Sequence, residues 1–159
     1  MDKLLKLLDE NAKYSNEELA LILGTTQEAV ASAIEKYERE GVIKGYKAII
    51  NWEKADAKEL VTALIEIKVT PRKATGFDEI ARDIMSFDEV ESVYLMSGGF
   101  DLCAIVNGRT FREVALFVSQ RLAPLDSVLS TATHFVLSRY KDNGVILCDE
   151  PVDERGSVL

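Results

Sequence analysis

The chain has 159 residues, 27 of them acidic and 19 basic, which leaves a net charge of −8. That length allows one ordinary domain or two small ones; 47% hydrophobic content supplies a core, and no apolar run is long enough to span a membrane. Cys103 and Cys148 are too few and too far apart for a disulfide framework or a zinc knuckle, and MDKLLKLLDE lacks the apolar stretch of a signal peptide, so a reducing cytoplasmic setting is expected.

In chain order, Leu4, Leu5, Leu8 and Ala12 follow helical spacing in DKLLKLLDENA. Ser15 followed by Glu18 predicts a capping box at the start of a second helix. Leu19, Ile22 and Leu23 give that helix its apolar stripe, and Gly24 is a left-handed stop. Thr25 with Glu28 reads as another capping box, opening a third helix that buries Val30, Ala33, Ile34 and Tyr37 and ends at Gly41. Two helices joined by a short turn bearing a glycine cross steeply as a helix-turn-helix. Its second helix suits the major groove of double-stranded DNA. Residues 44–50, KGYKAII, read as a strand, whose Lys44 and Lys47 are either solvated lysines or phosphate contacts. Through Trp52 the chain carries 7 basic and 9 acidic residues, so charge alone does not argue for DNA.

A polar, helix-like hinge over residues 51–59 then separates a first domain, 1–50, from a second, 60–141, with a tail over 142–159. Val61, Ala63, Ile65, Ile67 and Val69 alternate with Leu60, Thr62, Leu64, Glu66 and Lys68, and Pro71 stops this strand. Phe77, Ile80, Ala81 and Ile84 make a helical stripe. Strands over 90–96 and 100–106 flank a tight turn at Ser97, Gly98 and Gly99. Thr110 and Glu113 predict a third capping box, on a helix burying Phe111, Val114, Ala115, Val118 and Leu122. A last strand runs over about 128–140, and Val145, Ile146 and Leu147 can add a short strand. This order is a ferredoxin-like βαββαβ arrangement with both helices on one face. Apolar residues also occur on the other side, at Leu60 and Leu64, and a second copy of the sheet is the economical cover. His134, without Cys or His neighbours, makes no metal site. With no P-loop, GxSxG, HExxH or His/Cys/acid cluster, nothing points to catalysis or a cofactor.

With both halves read, the chain from Leu4 to about Lys141 resembles the Lrp/AsnC (feast/famine) family of bacterial and archaeal transcription regulators. The residues that carry the likeness are YEREGVIKGYKAIIN at 37–51, SGGFD at 97–101 and STATHFVLS at 130–138. The resemblance implies an α+β chain: an N-terminal winged-type helix-turn-helix domain that binds DNA, then a ferredoxin-like βαββαβ domain. That second domain would assemble dimers, often octamers, and sense a small amino acid between dimers. Family recognition helices usually carry arginines at places where Ala33 and Glu35 stand here. The DNA-facing set is then Thr26, Gln27, Ser32, Lys36, Arg39 and Lys44, with Thr25 mainly a cap. The effector set is Ser97, Gly98, Gly99, Asp101, Thr131 and Thr133. Asp101 would meet an ammonium group, and turn N–H groups or threonine hydroxyls a carboxylate. SGGFD also fits a plain hairpin turn, and the threonines plain strand propensity. The alternative function is an amino-acid-sensing assembly module that acts through protein partners without touching DNA.

Overall fold

Caps decide where the first helices begin and end. In the computed structural model, which describes residues 2–55, 60–71 and 76–148, the chain divides into two units, Met1–Ala48 and Ile49–Leu159. The first holds α1 (Lys3–Glu10), α2 (Asn16–Leu23) and α3 (Gln27–Arg39). Asp2 caps α1, accepting from the N–H groups of Leu4 and Leu5. Ser15 and Glu18 form the expected capping box on α2, each side chain accepting from the other residue's backbone N–H. Gly24, at φ 66°, ends α2 in the left-handed conformation, which lacks steric cost only for glycine.

The Thr25–Glu28 box does not form; Thr26 is the cap of α3, accepting from the Ala29 N–H. The reason is that the Thr25 N–H is already spent closing α2 on the Ala20 carbonyl, a Schellman bond, which moves the new start one residue on. Leu4, Leu19, Ala20 and Val30 form the buried centre, with Leu7, Leu8, Leu23, Ala33, Ile34 and Tyr37 packed on it. Ile22 is 53% exposed because Ala20 takes its place in the stripe, and Ala12 lies beyond the end of α1. Residues 44–50 form no ladder among the described residues; a strand needs a partner for its N–H and C=O groups, and composition does not supply one.

One tie across this unit is electrostatic. The Tyr37 hydroxyl donates to Asp2 at 2.6 Å, holding the Asp2 carboxyl below and the Tyr37 phenol above their ordinary ranges. Glu18 is likewise lowered, first by the Ser15 N–H. A carboxylate with a depressed folded-state pKa stabilises above its unfolded pKa, and that contribution is lost as pH falls through the folded value. The raised phenol stabilises below its unfolded pKa and loses its share as pH rises through the folded one. The unit should therefore melt at lower temperature at both the acid and the strongly alkaline ends. Helical circular dichroism against pH reads this, and Asp2→Asn should flatten the acid limb.

The second unit is built on β1 (Val61–Val69), α4 (Asp78–Met85), β2 (Val90–Leu95), β3 (Leu102–Gly108), α5 (Phe111–Phe117) and β4 (Val128–Phe135). The antiparallel sheet has the order β2-β3-β1-β4, the ferredoxin-like arrangement. Register sets Ala63, Ile65 and Ile67 opposite Val106, Ala104 and Leu102, so one face gathers the core. Ile80 and Ile84 of α4 and Val114, Phe117 and Leu122 close over it. The last helix departs from expectation: Phe111 is 55% exposed and Ala115 is exposed, while Phe117 is buried. From Val118 to Leu122 the chain makes a π turn, with the Ala123 N–H reaching the Val118 carbonyl; the larger Phe117 fills the space between Val114 and Val118. Thr110 accepts from the Glu113 N–H, but the Glu113 carboxylate returns to the Arg109 N–H, so that box is only half made. The last strand stops at Phe135, five residues short of expectation. Beyond it Asn143 and Gly144, both at positive φ, turn β5 (Lys141–Asp142) back onto β6 (Val145–Ile146). Residues 56–59 of the hinge and 149–159 of the tail lie outside the described residues, whereas 52–55 form turns.

Candidate functional site

The face of α3 opposite Val30 is the first candidate surface. Helical spacing puts Glu28, Ser32, Glu35 and Arg39 on one outward ridge, with Gln27 and Lys36 on its flanks, and all six are exposed. Gln27, Ser32, Lys36, Arg39 and Lys44 make no side-chain hydrogen bond or ion pair among the described residues. Thr26 is exposed but committed as the cap. Lys36 and Arg39 lie in the last turn, where cations also favour the helix dipole. Lys44 follows Gly41, which closes α3 with the Val42 N–H on the Tyr37 carbonyl. Tyr46 is tied back to α3 by its hydroxyl, which donates to Glu38 at 3.0 Å.

The second candidate surface is the end of the β2–β3 hairpin. The Met96 N–H donates to the Asp101 carbonyl, leaving residues 97–100 as the loop, so β3 begins two residues later than its composition suggests. Ser97, Gly98 and Gly99 are exposed. A Cβ at Gly98 or Gly99 would meet nothing within 4 Å, and only Gly98 has a positive φ. The absent Cβ of Gly99 is thus required by neither packing nor backbone within the described chain. Asp101 is partly used: its Oδ2 accepts from the Val69 N–H at 2.9 Å, beside the register shift between Lys68 and Val69. Thr131 and Thr133 are half-buried opposite Ile67 and Ile65, on the helix-covered face. β3 and β4 flank β1 on opposite sides, so about 9–10 Å separates the Asp101 strand from that of Thr131. Asp101 adjoins Leu102, which lies on the core face with Ile67, so strand alternation turns Asp101 to the face opposite Thr131 and Thr133.

A third feature lay outside the motifs. A cavity of about 370 Å³ is lined by Asn51, Glu53, Thr62, Arg139 and apolar residues including Leu60 and Leu137. Arg139 donates to the Thr62 hydroxyl at 2.8 Å and pairs with Asp142 at 3.5 Å, while the Asn51 amide donates to the Leu147 carbonyl. The sequence signal for it was faint, a single arginine near the end of the segment expected to be the last strand. No group of three or more His, Cys, Asp or Glu positioned for a metal occurs among the described residues, and none of the described helices is long and apolar enough to cross a membrane.

A family model described as the Lrp/AsnC ligand binding domain matches residues 62–146, and one described as winged helix-turn-helix DNA-binding matches residues 3–44. The chain is 46% identical over 153 residues to the uncharacterized HTH-type transcriptional regulator YugG of Bacillus subtilis (strain 168), covering 96% of this chain and 92% of that protein. It is 29% identical over 145 residues to the leucine-responsive regulatory protein of Haemophilus influenzae, covering 91% and 86%. Among solved structures, the NMB0573/L-Met complex, a transcriptional regulator from Neisseria meningitidis, has a TM-score of 0.69 at 23% identity, covering 89% of this chain and 93% of that one.

Proposed function

The chain belongs to the Lrp/AsnC family of transcriptional regulators, and from that premise we propose how this member reads DNA and its ligand. The α3 helix enters the major groove, Gln27 and Ser32 meet base edges, and Lys36, Arg39 and Lys44 meet phosphates. Thr26 fixes the start of the helix. The observation that carries this is an exposed helix face whose polar side chains have no work within their own unit. Gln27→Ala with Lys36→Ala should abolish retention of the cognate fragment in a gel shift on the DNA upstream of the gene. A lost base contact costs about 1–3 kcal/mol, and loss of Lys36 should shallow the salt dependence by nearly one counterion. Absence of salt-sensitive binding by the wild type on any genomic fragment would hand the function to the partner-binding alternative.

The ligand is a small amino acid, taken at the loop of residues 97–101. Asp101 receives its ammonium, and the N–H groups around Gly98 and Gly99, or Thr131 and Thr133 of a neighbouring subunit, receive its carboxylate. Open space over Gly99 supports a close approach there, and the name and title of two relatives mention leucine and methionine. Because Asp101 and Thr131 lie on opposite faces of the sheet within one chain, the site draws its second group from the loop N–H groups or from a neighbouring subunit. The helix-free sheet face makes a homodimer, the smallest stable species; dimers assemble further, to an octamer, and the ligand lies where the 97–101 loop of one subunit meets a neighbouring dimer. Binding reaches the DNA by favouring one assembly over another, with a coupling of about 1–3 kcal/mol. The cavity beside Arg139 supports a second placement, since Arg139 and Glu53 line it together and offer both charges an amino acid needs.

A further inference from the structure

The outward ridge of α3 runs Glu28, Ser32, Glu35, Arg39, and two of its four members are carboxylates. Neither Glu28 nor Glu35 has an ion pair or a side-chain hydrogen bond among the described residues. Acids on a ridge that faces DNA are costly, because the groove is walled by phosphates and every register brings like charges together. Glu28 regains part of that cost in the first turn of α3, where the helix dipole favours an acid, and a base-edge donor offsets the rest for both. The major groove offers two exocyclic amino groups. Adenine N6 sits between the acceptors N7 and thymine O4, whereas cytosine N4 has an acceptor, guanine O6, on one side only. An ionised carboxylate has no donor with which to meet those flanking acceptors, so cytosine is its better partner.

We propose that Glu28 and Glu35 are specificity residues, each accepting from a cytosine N4 amino group in the operator half-site. Seven residues of helix separate them, a rise of about 10 Å. The helix lies obliquely along the groove, so the two cytosines should be about two to three base-pair steps apart. This rests on the reading of α3 as the DNA-contacting helix. It goes beyond that reading in turning the acids from a liability into the source of sequence preference.

Selection from a random duplex pool by the full-length protein tests it. Wild type should enrich cytosine at two positions of each half-site. Glu28→Ala should lose the preference at one of them and Glu35→Ala at the other, by roughly tenfold or more. Both variants should also hold non-cognate duplex more tightly, since a like charge has gone. Glu28→Gln and Glu35→Gln should shift the preference toward adenine, because a glutamine amide both accepts from N6 and donates to N7. If both alanine variants select the wild-type motif unchanged, the acids are solvated charge and this inference alone falls. A wild type that enriches no motif would overturn the DNA reading together with it.

Discussion

Asp101→Asn should keep the fold and lose the ligand response, whereas Asp101→Ala should lose the response and stability together. The carboxylate has two roles that these variants separate. Its Oδ2 satisfies the N–H of Val69, a buried residue at the point where the β1–β4 register shifts. Orphaning a buried N–H costs about 1–3 kcal/mol. Asparagine retains an oxygen acceptor for that N–H but carries no charge for an ammonium group. Losing a hydrogen bond to a charged group costs about 1.5–3 kcal/mol, so affinity should fall by roughly tenfold to a hundredfold. Melting curves and calorimetric titration with the twenty amino acids give the two readouts. Wild-type affinity in Asp101→Asn would make Asp101 a structural clip only. An Arg139→Gln arm distinguishes the second placement: response lost there, and kept in Asp101→Asn, locates the ligand in the cavity beside Thr62.

What was legible in the sequence is what local chemistry decides. The Ser15–Glu18 box and the Gly24 stop depend on groups within a few residues, and they appear where the sequence places them. Alternation in β1 likewise fixes which side is buried, because a one-residue slip would expose Ile65 and Ile67. Errors arose where two local solutions competed. Thr25 and Thr26 are both good caps, and the choice fell to a bond from the preceding helix. Phe111 and Phe117 have equal bulk and both satisfy a helical stripe; Phe117 joins the core with Val114 and Val118, while Phe111 packs edge-on against Phe135 at the end of β4. Non-local pairing was beyond reach: residues 44–50 have strand composition but no ladder partner among the described residues. The separation of Asp101 from Thr131 follows from strand order, which SGGFD and STATHFVLS do not encode. The Arg139 cavity was missed for the same reason, since Thr62, Arg139 and Leu147 meet only through the fold.

Leu64→Lys should convert a dimer into a monomer without unfolding the sheet. Register places Leu64, Glu66, Cys103, Ile105, Tyr94, Ala132 and His134 on the face opposite the helices. Tyr94 is 53% exposed, and the helices of this unit close over the other face of the sheet. Burial holds the Cys103 thiol above its ordinary pKa, Glu66 adding to it, so Cys103 contributes here as a small apolar group. Glu66 has its own neighbour, the His134 imidazole at 3.3 Å, which helps the face accept a charge near its middle. A two-fold contact would place this patch on itself, as an isologous interface requires. Leu64 lies between Ile105 and His134 in the register, so a lysine there adds a cation beside the His134–Glu66 pair and against Ile105 in the contact between subunits. A buried charge costs about 3–5 kcal/mol and the two-fold dimer carries two of them, so the dimer dissociation constant should rise by roughly four decades or more. In the free chain Leu64 is only half-buried on the open face, so the same lysine reaches water and the fold survives. Light scattering of wild type and variant at micromolar concentration, with circular dichroism as the folding control, reads the difference. A well-folded wild-type monomer under those conditions would mean that the open face is not the dimer contact, and the effector site at residues 97–101 would then lack the neighbour that completes it.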